Sequence, residues 1–224
     1  HLAENLATLD QLSRGRLEVG VGLGGRPDTL PAFGIDPSSR VARFNEGLRL
    51  VKALWTEPRV TFGGRFWQLD RAASEPKPFQ KPHPRVWFGG GHPAALQRAA
   101  RHGDAFFGAG SATTAQFAEQ VRTLRELLQA AGRDAASFPI AKRVYVAVDD
   151  DAARAEARID DFFDHLYGRR GMTGVAVFGP PEDCVRGIRE VAEAGAGLIL
   201  FTTMFDQLEQ MERLSAEVVP HLSS

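Results

Sequence analysis

Apolar residues fall into two alternating patterns along this chain. Short runs that are apolar almost throughout have the length and the β-branched or aromatic character of buried strands: Arg16–Gly22, Val86–Phe88, Ala105–Gly108, Pro139–Val148, Val175–Gly179 and Gly197–Thr202. Between them, apolar positions recur at helical spacing. Leu2, Leu6 and Leu9, with Ala3 and Ala7, predict a helix ended by Ser13-Arg14-Gly15, where Gly15 suits a left-handed cap. Phe44, Leu48, Val51, Leu54 and Trp55 predict another from Ser39 to the stop at Pro58, with Arg40, Arg43, Glu46, Arg49 and Lys52 largely on its other side. A third begins at Pro93 with Ala94, Ala95, Leu96, Ala99 and Ala100 as its face. Phe117, Val121, Leu124, Leu127 and Leu128 line a fourth, capped near Gly132. Further helices start at Ala152, run from Pro180 to Gly195, and close the chain from Asp206 to Leu222. Val60-Thr61-Phe62 and Phe66–Leu69 around Gly63-Gly64-Arg65 predict a small hairpin, and prolines 76, 78, 82 and 84 an extended connector. Residues 26–38 predict a loop with one short helical turn at Thr29–Phe33. Strand followed by helix, repeated about five times, predicts a parallel sheet covered by helices.

Composition narrows the function without naming it. The 224 residues suffice for a substantial core, and 43% hydrophobic with 25% charged residues is ordinary for a globular protein. A net charge of −1, with both signs scattered, leaves no basic face for nucleic acid. The single cysteine, Cys184, excludes an intrachain disulfide and a thiolate cluster, and is expected to be a small buried or half-buried helix residue. No apolar run approaches the length of a membrane span, and His1–Glu4 has neither the basic start nor the apolar core of a signal peptide, so the expected compartment is cytoplasmic.

One stretch, Arg85–Asp104, joins a strand, three glycines and a helix start. That order aims unpaired backbone N–H groups at an anion, and it equally suits a tight turn that lets strand and helix pack closely. Asp149-Asp150-Asp151 invites a metal, but acids before a helix first suggest an N-cap and a complement to the helix dipole. Arg143 lies in a strand, where an inward charge needs a partner, either an acid in the barrel or a bound ligand. Arg40, Arg43 and Glu46 suggest a structural salt network. His83, His102, His165 and His221 have no partner at catalytic spacing and are expected on the surface. No Ser-His-Asp or metal-ligand set emerges.

With these elements placed, the chain resembles the bacterial luciferase-like monooxygenase superfamily of flavin- and deazaflavin-dependent enzymes. Thr8-Leu9-Asp10-Gln11-Leu12-Ser13-Arg14-Gly15-Arg16 and the strand Leu17–Gly22 carry the resemblance first. Arg40, Arg43, Glu46 and Ala53-Leu54-Trp55 continue it. So do the Pro76–Pro84 connector with Gln80, the run Val86–Gly90, and Ala99-Ala100 with Gly103-Asp104. The resemblance implies an α/β fold, a partial TIM (β/α)8 barrel holding strands four to eight of the family's barrel with their helices. It implies a single domain over 1–224 that lacks the first three βα units. Five strands do not close as eight do, and two strand edges would stay unpaired, so the chain is expected to be part of a full barrel.

The implied function is a flavin- or deazaflavin-dependent oxidoreductase, by monooxygenation or hydride transfer, acting on a small organic substrate. The implied cofactor is FMN or coenzyme F420, and the implied full-length form a homodimer. By the same resemblance the cofactor-binding residues are Gly22, Leu23 and Gly24 at one strand exit, with Gly25 where family members often have an aromatic. Gly89, Gly90, Gly91 and His92 would cradle a phosphate, His92 by hydrogen bond unless it is simply a helix N-cap. Gly108, with Ala109-Gly110-Ser111, would line the same pocket. Catalytic residues stay unassigned because the family often draws them from early strands, and activity is expected only in the full-length form. Two other classes remain open: a non-catalytic flavin-binding or assembly subunit, and a (β/α) lyase or isomerase with a phosphorylated substrate.

Overall fold

A computed structural model describes residues 1–24 and 27–222 of the chain. The chain divides into two compact units, His1–Trp87 and Phe88–Ser224. The first holds α1 (Leu2–Ser13), β1 (Glu18–Val21), two short 3-10 turns (Pro27–Phe33 and Pro37–Ser39) and α2 (Arg40–Thr56). It also holds an antiparallel hairpin, β2 (Val60–Gly63) with β3 (Gln68–Ala72), and the opening residues of β4 (Arg85–Gly89). β1 and β4 are neighbours, and Glu18 ties them: its carboxylate accepts from Trp87 Nε1 at 2.6 Å and from Arg85 Nη1 at 3.2 Å.

Helix α1 is rotated away from the face its leucines predict. Ala3, Ala7 and Asp10 are buried, whereas Leu2 and Leu9 are 63% and 51% exposed. Hydrogen bonds set that rotation. The Trp55 indole donates to the Ala3 carbonyl at 2.9 Å, which needs a small residue at the contact. Asp10 accepts from the backbone N–H and the side-chain amide of Gln80, both at 2.8 Å, and the same amide reaches the Leu17 carbonyl. A buried carboxylate without these donors would be far costlier than two exposed leucines. The helix ends with both Arg14 (φ 54) and Gly15 (φ 80) left-handed, so the cap expected at Gly15 is shared.

The expected salt network around Glu46 is instead a hairpin clamp. Its carboxylate accepts the backbone N–H groups of Arg65, Phe66 and Trp67 at 3.0, 2.8 and 3.0 Å. Gly64 makes room, since a Cβ there would overlap the Glu46 carboxylate. Arg43 lies over the Trp67 ring, 4.7 Å from its centroid, a packing role for its cation.

The second unit is built around a long strand. After the last residues of β4 come α3 (Pro93–His102), β5 (Ala105–Gly108), α4 (Thr114–Ala130), β6 (Ile140–Val148) and α5 (Ala152–Tyr167). Then follow β7 (Ala176–Gly179), α6 (Pro181–Glu193), β8 (Leu198–Thr203) and α7 (Gln207–Arg213). β6 pairs in parallel with three strands. Residues 141–146 run beside β8, 140–142 beside β5, and 145–148 beside β7. Because 141–142 face both β5 and β8, and 145–146 both β7 and β8, β5 and β7 must share one edge of β6 and β8 take the other. Buried residues nearly throughout β6 follow from layers on both faces. Val146 and Val148 pack on Cys184, Ile188, Leu214 and Val218; Tyr145 and Ala147 pack on Ile159, Phe163 and Met204. Among the described residues β8 has no second strand neighbour, and its Leu198 and Leu200 are exposed.

The predicted closing helix changes pitch. α7 widens into a π turn at Leu214–Val218 and tightens at Val219–His221. Pro220 has no N–H for the carbonyl four residues back, so the regular ladder cannot continue through it. No helix among the described residues is long and apolar enough to cross a membrane.

Candidate functional site

In the second unit the two glycine-containing exits meet. Gly91, Ala109, Ser111, Ala112, Ala115 and Gln120 are among the residues lining a recess of about 590 Å³. Gly90 has φ 105, a conformation side chains rarely adopt, and a Cβ on Gly91 would overlap the Gln120 amide. The turn reading of this run therefore has a physical basis at Gly90, whereas at Gly91 the neighbour is the movable end of the Gln120 side chain. The Gln120 side-chain oxygen is buried in the recess wall without a hydrogen-bond partner. Gly89 and His92 are exposed beside it. His92 is an N-cap: its Nδ1 accepts the Ala94 N–H at 3.2 Å, which places a neutral ring's proton on Nε2. Gly108 does not line the recess. It is buried, pairs with Lys142, and packs against the Phe117 ring, so Ala109 and Ser111 supply that wall.

Lys142, which the sequence reading passes over in favour of Arg143, organises this exit. Its side chain is buried, and its ammonium donates to the Ala109 and Ala112 carbonyls at 3.1 and 2.8 Å while lying over the Phe117 ring. Burial pushes its pKa down to about 8. A lysine inside a nine-residue apolar strand was the available signal.

Arg143 points to the opposite face, and the acid expected as one of its two alternative partners is absent among the described residues. Its Nε donates to Thr202 Oγ1 at 3.1 Å, and its guanidinium lies 4.7 Å from the Tyr145 ring centroid. The Tyr145 hydroxyl pairs with that of Tyr167 at 2.7 Å, and burial followed by this hydrogen bond pushes its pKa up to about 12.

The three consecutive acids cap and brace α5. Asp151 accepts the N–H groups of Ala153 and Arg154, Asp149 takes a two-point bond from Arg154, and Asp150 pairs with Arg213. Cys184 is fully buried, and burial pushes its thiol up to about 12.

In the first unit, Gly22 and Leu23 line an apolar pocket of about 480 Å³ with Val19, Val21, Phe44 and Leu48. The helical face predicted for α2 thus forms pocket wall. Gly24 is exposed with φ 78, and Gly25 lies outside the described residues.

The whole chain superposes on the F420-dependent secondary alcohol dehydrogenase solved with an F420-acetone adduct (TM-score 0.86, 21% identity), covering 74% of that chain. This likeness defines the fold as part of a luciferase-like TIM barrel, α/β in class. Residues 1–173 match the luciferase-like monooxygenase family, and the chain belongs to it. An F420-dependent glucose-6-phosphate dehydrogenase of Kineococcus radiotolerans is 32% identical over 158 residues, covering 69% of this chain and 46% of that protein. The FMNH(2)-dependent dimethylsulfone monooxygenase of Pseudomonas putida is 35% identical over 108 residues, 47% of this chain and 30% of that protein. The chain spans about half the length of several of the curated relatives it matches, for example 48% and 56% of two of them. It is a member of a family of flavin- and F420-dependent oxidoreductases and monooxygenases.

Proposed function

We propose that the protein is a flavin- or deazaflavin-dependent oxidoreductase acting on a small organic substrate, with the cofactor's phosphorylated tail held in the second-unit recess. The observation that carries this reading is the recess itself. Two strand exits of a family member converge there on small side chains and one buried, unpartnered acceptor, the Gln120 oxygen.

The residues fit the tail of either cofactor. Gly89, Gly90 and Gly91 offer backbone without side chains before the start of α3, where helix N–H groups favour an anion. The unpartnered Gln120 oxygen suits a hydroxyl of a polyol chain. Glu119, the acid at the rim, is already paired with Arg122. When bound, reduced FMN or reduced F420 supplies the electrons, for oxygen activation or hydride transfer respectively. The protein's part is to bind, orient and exclude water. Lys142 holds the Ala109–Ala112 wall in place from behind. In the first unit, the apolar pocket at Gly22 and Leu23 has room for an apolar group of substrate or cofactor.

The test is titration with reduced FMN and with coenzyme F420, followed by absorbance and fluorescence, in the wild type and in Ala115→Glu. Ala115 is exposed in the first turn of α4, where a carboxylate favours the helix while repelling a phosphate. The expected loss is about tenfold or more for whichever cofactor binds. Equal affinity in both proteins, or no binding of either cofactor, refutes the assignment.

A further inference from the structure

Arg143 has the geometry of a binding residue that the cofactor reading does not use. The register places it one residue past the last β5 pairing, Gly108 with Lys142, and three residues short of the last β8 pairing, Val146 with Thr203. It therefore stands level with the carboxyl end of β5, the end at which barrels of this kind assemble their sites, and beside the middle of β8. Its orientation is fixed twice, by the Thr202 hydroxyl at Nε and by the Tyr145 ring under the guanidinium plane. Tyr145 is itself immobilised: fully buried, bonded to Tyr167, and packed against Gly110, where a Cβ would come within 2.7 Å of its ring. Among the described residues only Nε is hydrogen-bonded, so both terminal nitrogens of a half-buried guanidinium are left as a fork. Leu200, paired with Arg143 in the register and therefore on its face, is 51% exposed beside it.

Stacking on Tyr145 accounts for the plane of the cation but, with no carboxylate or carbonyl partner among the described residues, leaves its terminal nitrogens available. A preorganised fork next to an apolar side chain matches a planar or tetrahedral oxyanion carried on an apolar body. We propose that Arg143, positioned by Thr202 and Tyr145, is a subsite for the oxyanion group, carboxylate or phosphate monoester, of an organic substrate whose apolar part lies along Leu200. The inference rests on the proposed oxidoreductase function only in taking the anion to be the substrate's.

Benzoate and phenyl phosphate serve as probes, titrated calorimetrically into the full chain. The wild type is expected to bind at least one of them saturably, the tighter probe identifying the anion as carboxylate or phosphate. Arg143→Gln should weaken that probe by about tenfold or more. Arg143→Lys, which keeps charge but not the fork, should fall between, and Thr202→Val, close in shape, should lose severalfold by freeing the guanidinium. The last two variants keep the question answerable if Arg143→Gln does not fold. Ala115→Glu separates the two sites, because it should leave benzoate binding, and the part of phenyl phosphate binding that Arg143→Gln removes, unaffected. Absence of binding by the wild type, or equal affinity across the Arg143 and Thr202 variants, overturns the subsite. Loss of probe binding in those variants, in a protein that takes up neither FMN nor F420, upholds the subsite and removes the cofactor assignment. Cofactor binding with probe affinities indifferent to Arg143 does the reverse.

Discussion

Replacing Lys142 by methionine sets two effects of similar size against each other. Burial lowers the ammonium from 10.5 to about 8, so its charged form costs about 3 kcal/mol more in the folded than in the unfolded chain. Methionine removes that cost and fills much of the same volume, but it strips the Ala112 carbonyl of its Lys142 donor, worth about 1–3 kcal/mol for an acceptor left dry, while the Ala109 carbonyl keeps the Ala112 N–H at 3.3 Å. Near pH 7 the two nearly cancel, and Lys142→Met should lie within about 2 kcal/mol of wild type. The separation comes with pH. Below pH 8 both states of the wild type carry the proton and the full penalty stands. Between pH 8 and 10.5 the folded state releases it while the unfolded state keeps it, so stability rises with pH and levels off above. The variant lacks that rise, while the neutral amine of the wild type still donates to the carbonyls. The stability difference should therefore widen by about 3 kcal/mol in favour of wild type from pH 7 to 10.5. Urea unfolding followed by far-ultraviolet circular dichroism measures it, and subtracting the variant removes the other titrating groups. Parallel pH profiles would show that the amine is not held as described.

Asp10→Ala should destabilise the first unit by about 3 kcal/mol, because it orphans both Gln80 donors around a buried site; a cost under about 1 kcal/mol in urea unfolding of tryptophan fluorescence would count against it. At Glu46, burial works to raise the carboxyl pKa, but its three backbone donors prevail and hold it below the usual range. That contribution is present above the ordinary glutamate pKa and lost as pH falls through the folded value. Glu46→Gln should thus flatten the acid limb of the unfolding curve, and an unchanged limb would rule the clamp out. Cys184 should react with a thiol reagent only as fast as its surroundings open, with urea accelerating labelling in step with unfolding; rapid labelling of the native protein would contradict its burial.

How far the fold was legible depended on what set each element. Where apolar burial decides, as on α3 and α4, period identifies most of the buried residues, although Ala94 of the predicted α3 face is exposed and Leu127 of the α4 face only half-buried. Where polar satisfaction decides, it does not. The rotation of α1 is set by Gln80, 70 positions from Asp10, and the role of Glu46 by backbone donors about 20 positions on, pairings that no local pattern carries. Asp149–Asp151 were readable because capping is local. At the candidate site, the sequence located both exits that line the recess but could not separate a close-packing glycine from an open one. Gly108 is closed off by the Phe117 ring, which a Cβ there would overlap. Arg143 was noticed and its protein partner mistaken, since nothing in β6 reveals that a threonine of β8 stands opposite.

The Glu46 clamp also bears on the order in which the first unit can assemble. A two-stranded hairpin is marginal by itself, and this one closes around a carboxylate that belongs to the preceding helix. The turn at Gly64–Trp67 therefore gains its principal anchor only once α2 has brought Glu46 to it. The expected order of assembly over residues 40–72 is helix first and hairpin second. In a kinetic experiment, substitutions at Glu46 should speed unfolding while substitutions on the apolar face of α2 slow folding.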